Sequence, residues 1–230
     1  IKIQNEGIDH IVVVPFSRDF SMMEAEDYIN KFLYENFHPH TVIIGYDHRF
    51  GHNRSGDIQT LKELLPKSIN VIEIEEQLIH DANVSSTKIR KAILNGEMDL
   101  AEEMLGSAFS LEATVVHGNK IGRTIGYPTA NLKIAYPDIL IPKIGIYAVL
   151  VIIGAETFKG MMSIGKRPTV TDDGELTLEV NILDFNKDIY GLNIRIAFIQ
   201  YLRGEEKLAG LDALKAKIAE DEIMVRKILA

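Results

Sequence analysis

The period of the hydrophobic pattern changes once along this chain, near residues 106–110, and that change divides the fold into two dissimilar halves. Upstream, short β-rich runs alternate with amphipathic helical stretches. Residues 11–14 and 41–44 are continuous apolar runs, which predict buried parallel strands, and 71–74 predicts a third. Ser21 followed by Glu24 predicts a capping box opening a helix with Ala25, Ile29, Phe32 and Leu33 on one face. Further helices are expected at 58–65, 87–94 and 100–105, giving an α/β domain with a parallel sheet over residues 1–109. Downstream the period is two. Strands are expected at 111–116, 146–153, 158–164, 176–183 and 194–201, separated by Gly, Pro and Asp/Asn clusters, with a helix over 212–229 that turns Leu214, Ile218 and Val225 inward. Strands that follow one another without intervening helices predict a small antiparallel β-barrel over residues 110–230.

A chain of 230 residues, 46% hydrophobic and 25% charged, has enough apolar surface for two cores. It contains no cysteine, which excludes disulfides and thiolate chemistry and fits a reducing, cytoplasmic setting. No apolar run approaches the roughly 20 residues of a membrane span, so no membrane association is expected. Residues 1–109 carry 10 Lys+Arg against 18 Asp+Glu, and residues 110–230 carry 15 of each. An acidic half beside a neutral half offers no basic stripe, so a nucleic-acid partner is not expected either. The sequence leaves the oligomeric state open.

The densest chemical signal lies at Gly118, Gly122 and Gly126, which run into Tyr127, Pro128, Thr129, Ala130 and Asn131. Glycines let a backbone turn sharply and approach a phosphate closely. Pro128 biases Tyr127 towards an extended conformation, so the chain is expected to leave this loop as a strand. Side chains two apart on a strand share a face, which puts the Thr129 hydroxyl and the Asn131 amide oxygen together. Two neutral oxygen ligands beside a glycine loop suit Mg2+ held mainly by the phosphates of ATP. A glycine-rich hairpin with a structural threonine is the competing reading. A Gly-x-x-x-Gly contact between membrane helices is excluded by Lys120, Arg123 and Pro128.

A second candidate lies in the run 176–183, where Leu176, Leu178, Val180 and Ile182 fall on one face and Thr177, Glu179 and Asn181 on the other. A carboxylate so placed can accept a proton from an attacking hydroxyl within hydrogen-bond reach. The same pattern also describes a solvated glutamate on an outward strand face.

These residues, with Asp184-Phe185, Tyr190-Gly191 and Tyr201-Leu202-Arg203 in the same order, resemble riboflavin kinase over most of residues 110–230. The first half is similar to the FMN adenylyltransferase domain of bacterial bifunctional FAD synthetases. That likeness rests on Pro15-Phe16, on the run Ile44 to Gly51, on Gly56-Asp57, and on Val84 to Arg90. The resemblance implies that riboflavin's terminal ribityl hydroxyl attacks the γ-phosphate of ATP to give FMN and ADP. It makes Glu179 the base, Thr129 and Asn131 the magnesium ligands, and Gly118, Gly122 and Gly126 the wrapping around ATP. Arg203 matches a flavin-side loop. Ser86, Thr87 and Arg90 match a nucleotidyltransferase motif at a helix start that binds triphosphate, and Asp47 and Arg49 belong to a stretch lining the FMN/ATP cleft.

The resemblance also has a gap. The family's Gly-x-Phe-Asp-Gly-x-His-x-Gly-His loop has no counterpart, and neither His38-Pro39-His40 nor the stretch from His48 to His52 has its pattern. The chain begins at Ile1, inside the matched domain, so an N-terminally incomplete adenylyltransferase domain is implied, one that does not adenylylate FMN in these residues alone. A non-catalytic flavin- or nucleotide-binding module is the alternative of a different class. A nucleotidyltransferase with another substrate would leave the barrel half without a role.

Overall fold

A computed structural model describes residues 3, 7–76, 78–79, 82–118, 122, 125–134, 138–167, 175–206 and 209–230. Lys120 and Arg123 lie outside the described residues, as does most of the segment between Gly118 and Gly126. The chain divides into two compact units, Ile1–Leu78 and Ile79–Ala230.

In the first unit, α1 (Arg18–Ser21) is followed by α2 (Ala25–Asp27), a π-helical segment Tyr28–Tyr34 and α3 (Glu35–Phe37). The capping box expected at Ser21 and Glu24 does not form. The Ser21 hydroxyl donates back to the Arg18 carbonyl at 2.6 Å, which closes α1, and the next helix has Glu24 as its N-cap without a side-chain hydrogen bond. The widened π turn ends where the Asn36 amide donates to the carbonyls of Lys31 and Phe32 at 2.7 and 2.9 Å, and left-handed His38 stops the helix. Next come β1 (Thr41–Gly45), α4 (Ile58–Leu64) and β2 (Asn70–Ile74), with β1 and β2 parallel from Thr41↔Asn70 to Gly45↔Ile74. The core gathers Ala25, Ile29, Ile44, Phe50, Leu61 and Leu65. Only one face of the parallel pair is covered, because Val42, Ile44 and Val71 turn to that core while Ile43 and Ile72 are exposed. The expected strand at 11–14 is absent. Ile11, Val12 and Val13 are exposed and pair with nothing among the described residues, because β-propensity makes a strand only where a neighbouring backbone completes the ladder.

The short pair β3 (Leu78–Ile79) and β4 (Ala82–Asn83) precedes α5 (Ser86–Asn95) and α6 (Met98–Leu105). Both helices end on left-handed glycines, Gly96 and Gly106. Six strands follow: β5 (Ser110–Val116), β6 (Ala130–Ile134), β7 (Gly145–Ile153), β8 (Glu156–Arg167), β9 (Glu175–Ile182) and β10 (Asn193–Arg203). They close an antiparallel barrel in the order β10-β5-β6-β9-β8-β7, as the change of period implied. Alternate residues fill it, among them Leu111, Ala113 and Val115 of β5, Leu178, Val180 and Ile182 of β9, and Ile194, Ile196 and Phe198 of β10. Ala92, Ile93, Met98 and Ala101 of α5 and α6 belong to the same core. The last helix, α7 (Leu211–Ile228), lies on the outside of the barrel, with Val225 buried against Ala148, Met161 and Leu183.

Candidate functional site

The three glycines of the loop are required for different reasons. A Cβ on Gly118 would overlap the Asn131 side-chain amide, and one on Gly122 would overlap the Tyr127 carbonyl oxygen. Gly126 has open space around it but a φ of +88°, which a side chain would strain. The Gly122 carbonyl accepts from Tyr127 N–H at 2.9 Å, so the chain doubles back before it straightens at Pro128. Asn181 on β9 is buried, and its Nδ2 donates to the Pro128 carbonyl at 2.7 Å.

β6 therefore starts in a fixed register, with Ala130 opposite Val180 and Asn131 opposite Glu179. Ala130 and Leu132 face the barrel core, and Asn131 between them faces outward. The Thr129 hydroxyl donates to Oε2 of Glu179 at 2.9 Å. Thr129, Asn131 and Glu179 thus meet on the outer wall with the Gly118 backbone against the Asn131 amide. This constellation places a hydroxyl oxygen, an amide oxygen and a carboxylate together, all hard donors of the kind Mg2+ takes. The described residues contain no group of three or more His, Cys, Asp or Glu suited to hold a metal. An ion at this site would accordingly complete its shell from a phosphate or water.

Beside Thr129 opens a cavity of about 620 Å³. Val115, Ala130, Val180 and Ile182 form its apolar floor. His117 and Tyr190 stand at its mouth with ring centroids 3.9 Å apart and planes at 33°. Phe185, whose ring meets Phe158 edge-on at 4.9 Å, closes one side near Asn186 and Asp188. Sequence reasoning assigned no role to His117, Phe185 or Asn186. The signals available were the position of His117 directly before the glycine loop and the Asp184-Phe185 and Tyr190-Gly191 pairs.

Arg203 stands apart from that cluster, at the end of β10. Its Nε and Nη2 donate to the Asp221 carboxylate at 2.9 and 2.7 Å, and Nη1 donates to the Gly204 carbonyl at 3.0 Å. Asp221 on α7 is 2% exposed, so the pair is a desolvated, side-on fork. The Asp221 hydrogen bond raises the guanidinium pKa further. Nearby, the Glu205 carboxylate lies directly over Gly165, on the outward face that also carries Thr177 and Glu179.

In the first unit, Asp47 and Arg49 lie in the loop that leaves the carboxyl end of β1, where parallel sheets bind ligands. Arg49 pairs with Asp57, the N-cap of α4, and Phe50 and Gly56 exchange backbone hydrogen bonds at 3.1 and 2.9 Å that close the loop. Backbone donation from Thr60, and then Arg49, hold the Asp57 carboxyl below the usual aspartate range. The α5 motif does sit at a helix start. Ser85 is the cap, accepting from Lys88 N–H at 3.3 Å, and Ser86, Thr87 and Arg90 are exposed on the first turns.

The family model described as riboflavin kinase matches residues 105–229, and that described as FAD synthetase matches residues 1–88. A bifunctional riboflavin kinase/FMN adenylyltransferase of Listeria monocytogenes is 37% identical over 229 residues, covering 100% of this chain and 72% of the relative. Its counterpart in Escherichia coli is 35% identical over 223 residues, covering 96% and 70%. A crystal structure described as a macrolide-efflux protein from Streptococcus pneumoniae matches with a TM-score of 0.89 at 34% identity, covering 98% of this chain and 72% of that one. The efflux description belongs to that protein; here, no helix among the described residues is long and apolar enough to cross a membrane. With both halves matched in order, and a relative 37% identical across the whole chain, the chain belongs to the bifunctional riboflavin kinase/FMN adenylyltransferase family.

Proposed function

We propose that this protein works in flavin cofactor biosynthesis as an ATP-dependent riboflavin kinase joined to an FMN adenylyltransferase, the kinase in residues 110–230 and the adenylyltransferase-related part in residues 1–109. The observation that carries the kinase reading is the Thr129–Glu179 hydrogen bond at 2.9 Å, with Asn131 in register beside Glu179 and Thr129 itself lining the cavity. Apolar walls, the His117–Tyr190 pair and the polar rim suit a flat nucleobase, which puts the phosphates of ATP over Gly118, Gly122 and Gly126. Thr129 and Asn131 would hold Mg2+ there, whose charge would neutralise the β- and γ-phosphates when bound.

Glu179 then has one task. Its carboxylate accepts the proton from riboflavin's terminal ribityl hydroxyl as that oxygen bonds to the γ-phosphorus. The bond from the γ-phosphorus to the bridging oxygen breaks, and its electron pair leaves with ADP. The chain's contribution is mostly placement, because phosphoryl transfer demands in-line geometry more than a strong base. Arg203 belongs to the flavin side, where the fork to Asp221 fixes the start of the segment between β10 and α7. In the other half, the start of α5 offers the backbone N–H groups of Ser86 and Thr87 and the Arg90 guanidinium to a triphosphate, and Asp47 and Arg49 line a flavin nucleotide cleft. The family match to both halves favours two catalytic activities over a non-catalytic binding module. The absence of cysteine supports a cytoplasmic setting, and riboflavin, FMN and ATP are the partners we assign.

The test is incubation of the chain with riboflavin, ATP and Mg2+, followed by chromatographic separation of flavins and nucleotides. FMN and ADP formed in equal amounts are expected, with none formed in EDTA. ADP without FMN, or neither product, would sink the kinase reading.

A further inference from the structure

The seam between β6 and β9 carries Thr129, Asn131 and Glu179, yet among the described residues it is registered only at Ala130↔Val180 and Asn131↔Glu179. The β7–β8 seam, two along in the barrel, runs unbroken from Gly145↔Ile164 to Ile153↔Glu156. A slip of one residue at a short seam turns every side chain to the opposite face. Two hydrogen bonds fasten it directly, Asn181 to the Pro128 carbonyl and Thr129 to Glu179.

A third fastening crosses the outside of the barrel on α7. Tyr127 packs into the cluster that holds Val225, and burial and then the Glu222 carboxylate raise the pKa of its hydroxyl. Oε1 of Glu222 accepts from Arg226 Nε at 2.8 Å, one helical turn along. The other two nitrogens of Arg226 donate to both oxygens of Asp184 at 2.7 and 2.8 Å. Tyr127 lies two residues before Thr129, at the entry to β6. Asp184 lies just past the end of β9, at a left-handed φ of 56° that aspartate tolerates better than most residues. Val225, fully buried between the two relay residues, holds this turn of α7 to the barrel.

We propose that Glu222 and Arg226 are positioning residues, and that the chain Tyr127–Glu222–Arg226–Asp184 sets the register of the β6–β9 seam and so the spacing of Thr129 and Asn131 from Glu179. Single exposed ion pairs contribute little, because solvent screens them and side-chain entropy opposes them. This relay differs in its two-pronged end on Asp184 and in tying two backbone segments that share few ladder bonds. Its metal-dependent consequence rests on the kinase reading; its structural consequence does not.

The test compares the parent chain with Arg226→Gln, Arg226→Lys and Tyr127→Phe. Amide hydrogen exchange is read at residues 130–132 and 179–181 against the amides of β7 and β8. Arg226→Gln is expected to speed exchange at the seam by about threefold to tenfold, with β7 and β8 within twofold. Arg226→Lys, which keeps the charge and loses the fork, is expected to fall between the two. In kinetics, the half-activating Mg2+ concentration should rise by about the same factor while the KM for riboflavin stays within twofold. Exchange at the parental rate, or equal acceleration throughout the barrel, overturns the proposal. Should Arg226→Gln unfold the chain, Tyr127→Phe, which removes one hydroxyl, decides it by the same reading. A parent chain that makes no FMN refutes the kinase reading alone, since the exchange comparison needs no substrate.

Discussion

The Thr129 hydroxyl donates to Glu179, and both residues lie at the seam with the fewest registered pairs among the described residues of the barrel. That bond leaves the Thr129 oxygen lone pairs pointing away from Glu179, free for a cation. It also fixes one carboxylate oxygen and leaves the other open to a substrate proton. Glu179→Gln keeps the size and the acceptor but cannot take a proton. It is expected to lower kcat for FMN formation by about 10²–10⁴-fold with little change in riboflavin binding, as measured by steady-state kinetics and flavin fluorescence. An unchanged kcat would remove Glu179 from the proton path.

Thr129→Val tests the other end of the same bond. Valine matches threonine in shape but has neither hydroxyl nor donor. The Mg2+ concentration needed for half-maximal activity and the KM for ATP should both rise, while the KM for riboflavin holds. Parallel changes in both substrates' KM values would point to a displaced strand rather than a lost ligand.

Gly118→Ala and Gly126→Ala separate two uses of glycine in one loop. At 118 the added methyl meets the Asn131 amide, so the cost appears in ATP and Mg2+ affinity. At 126 the methyl meets nothing, and the cost is backbone strain of about 1 kcal/mol, read as a lower unfolding midpoint. Equal effects of the two variants on ATP affinity would contradict this division.

What was legible in the sequence was whatever local chemistry alone dictates. The alternation of Leu178, Val180 and Ile182 placed Glu179 on the outer face, and Pro128 behind glycines started β6 where expected. The cavity beside Thr129 was not legible, because it is built from β5, β9 and the 185–190 segment, which are distant in sequence. The apolar run at 11–14 misled because hydrophobicity specifies burial without specifying a partner. Ser21 misled because a serine can cap the helix ahead or bond back to the turn behind, and only the backbone decides. The link from Arg203 to Asp221 spans 18 positions and two elements, and no spacing rule connects a strand end to a helix interior.

That buried link carries its own prediction. Asp221→Ala leaves the Arg203 guanidinium desolvated without its carboxylate, and the chain should lose about 3–5 kcal/mol of stability in urea unfolding. Replacing both partners, Arg203→Met with Asp221→Leu, removes the stranded charge and should recover much of that loss. If the double variant is as unstable as the single one, packing rather than the unpaired charge accounts for the cost.

Asp57 ties the loop after β1 to α4 and gives the first unit an acid-sensitive joint. Its carboxylate accepts from the Gln59 and Thr60 N–H groups at 3.0 Å each and pairs with Arg49. These bonds, Thr60 first, lower its pKa in the folded chain. Unfolding therefore takes up a proton on Asp57 in the interval between the folded and the ordinary aspartate values. The stabilisation is complete above the ordinary value of about 3.9 and is lost as the pH falls through the folded one. Asp57→Asn keeps an oxygen to cap α4 but cannot titrate and cannot pair with the Arg49 charge. In urea titrations of the full chain from about pH 7 to about pH 3, the parent should be the more stable above about pH 5, and the two curves should converge in acid. A constant difference across that range would mean that the carboxylate's charge plays no part in holding the loop.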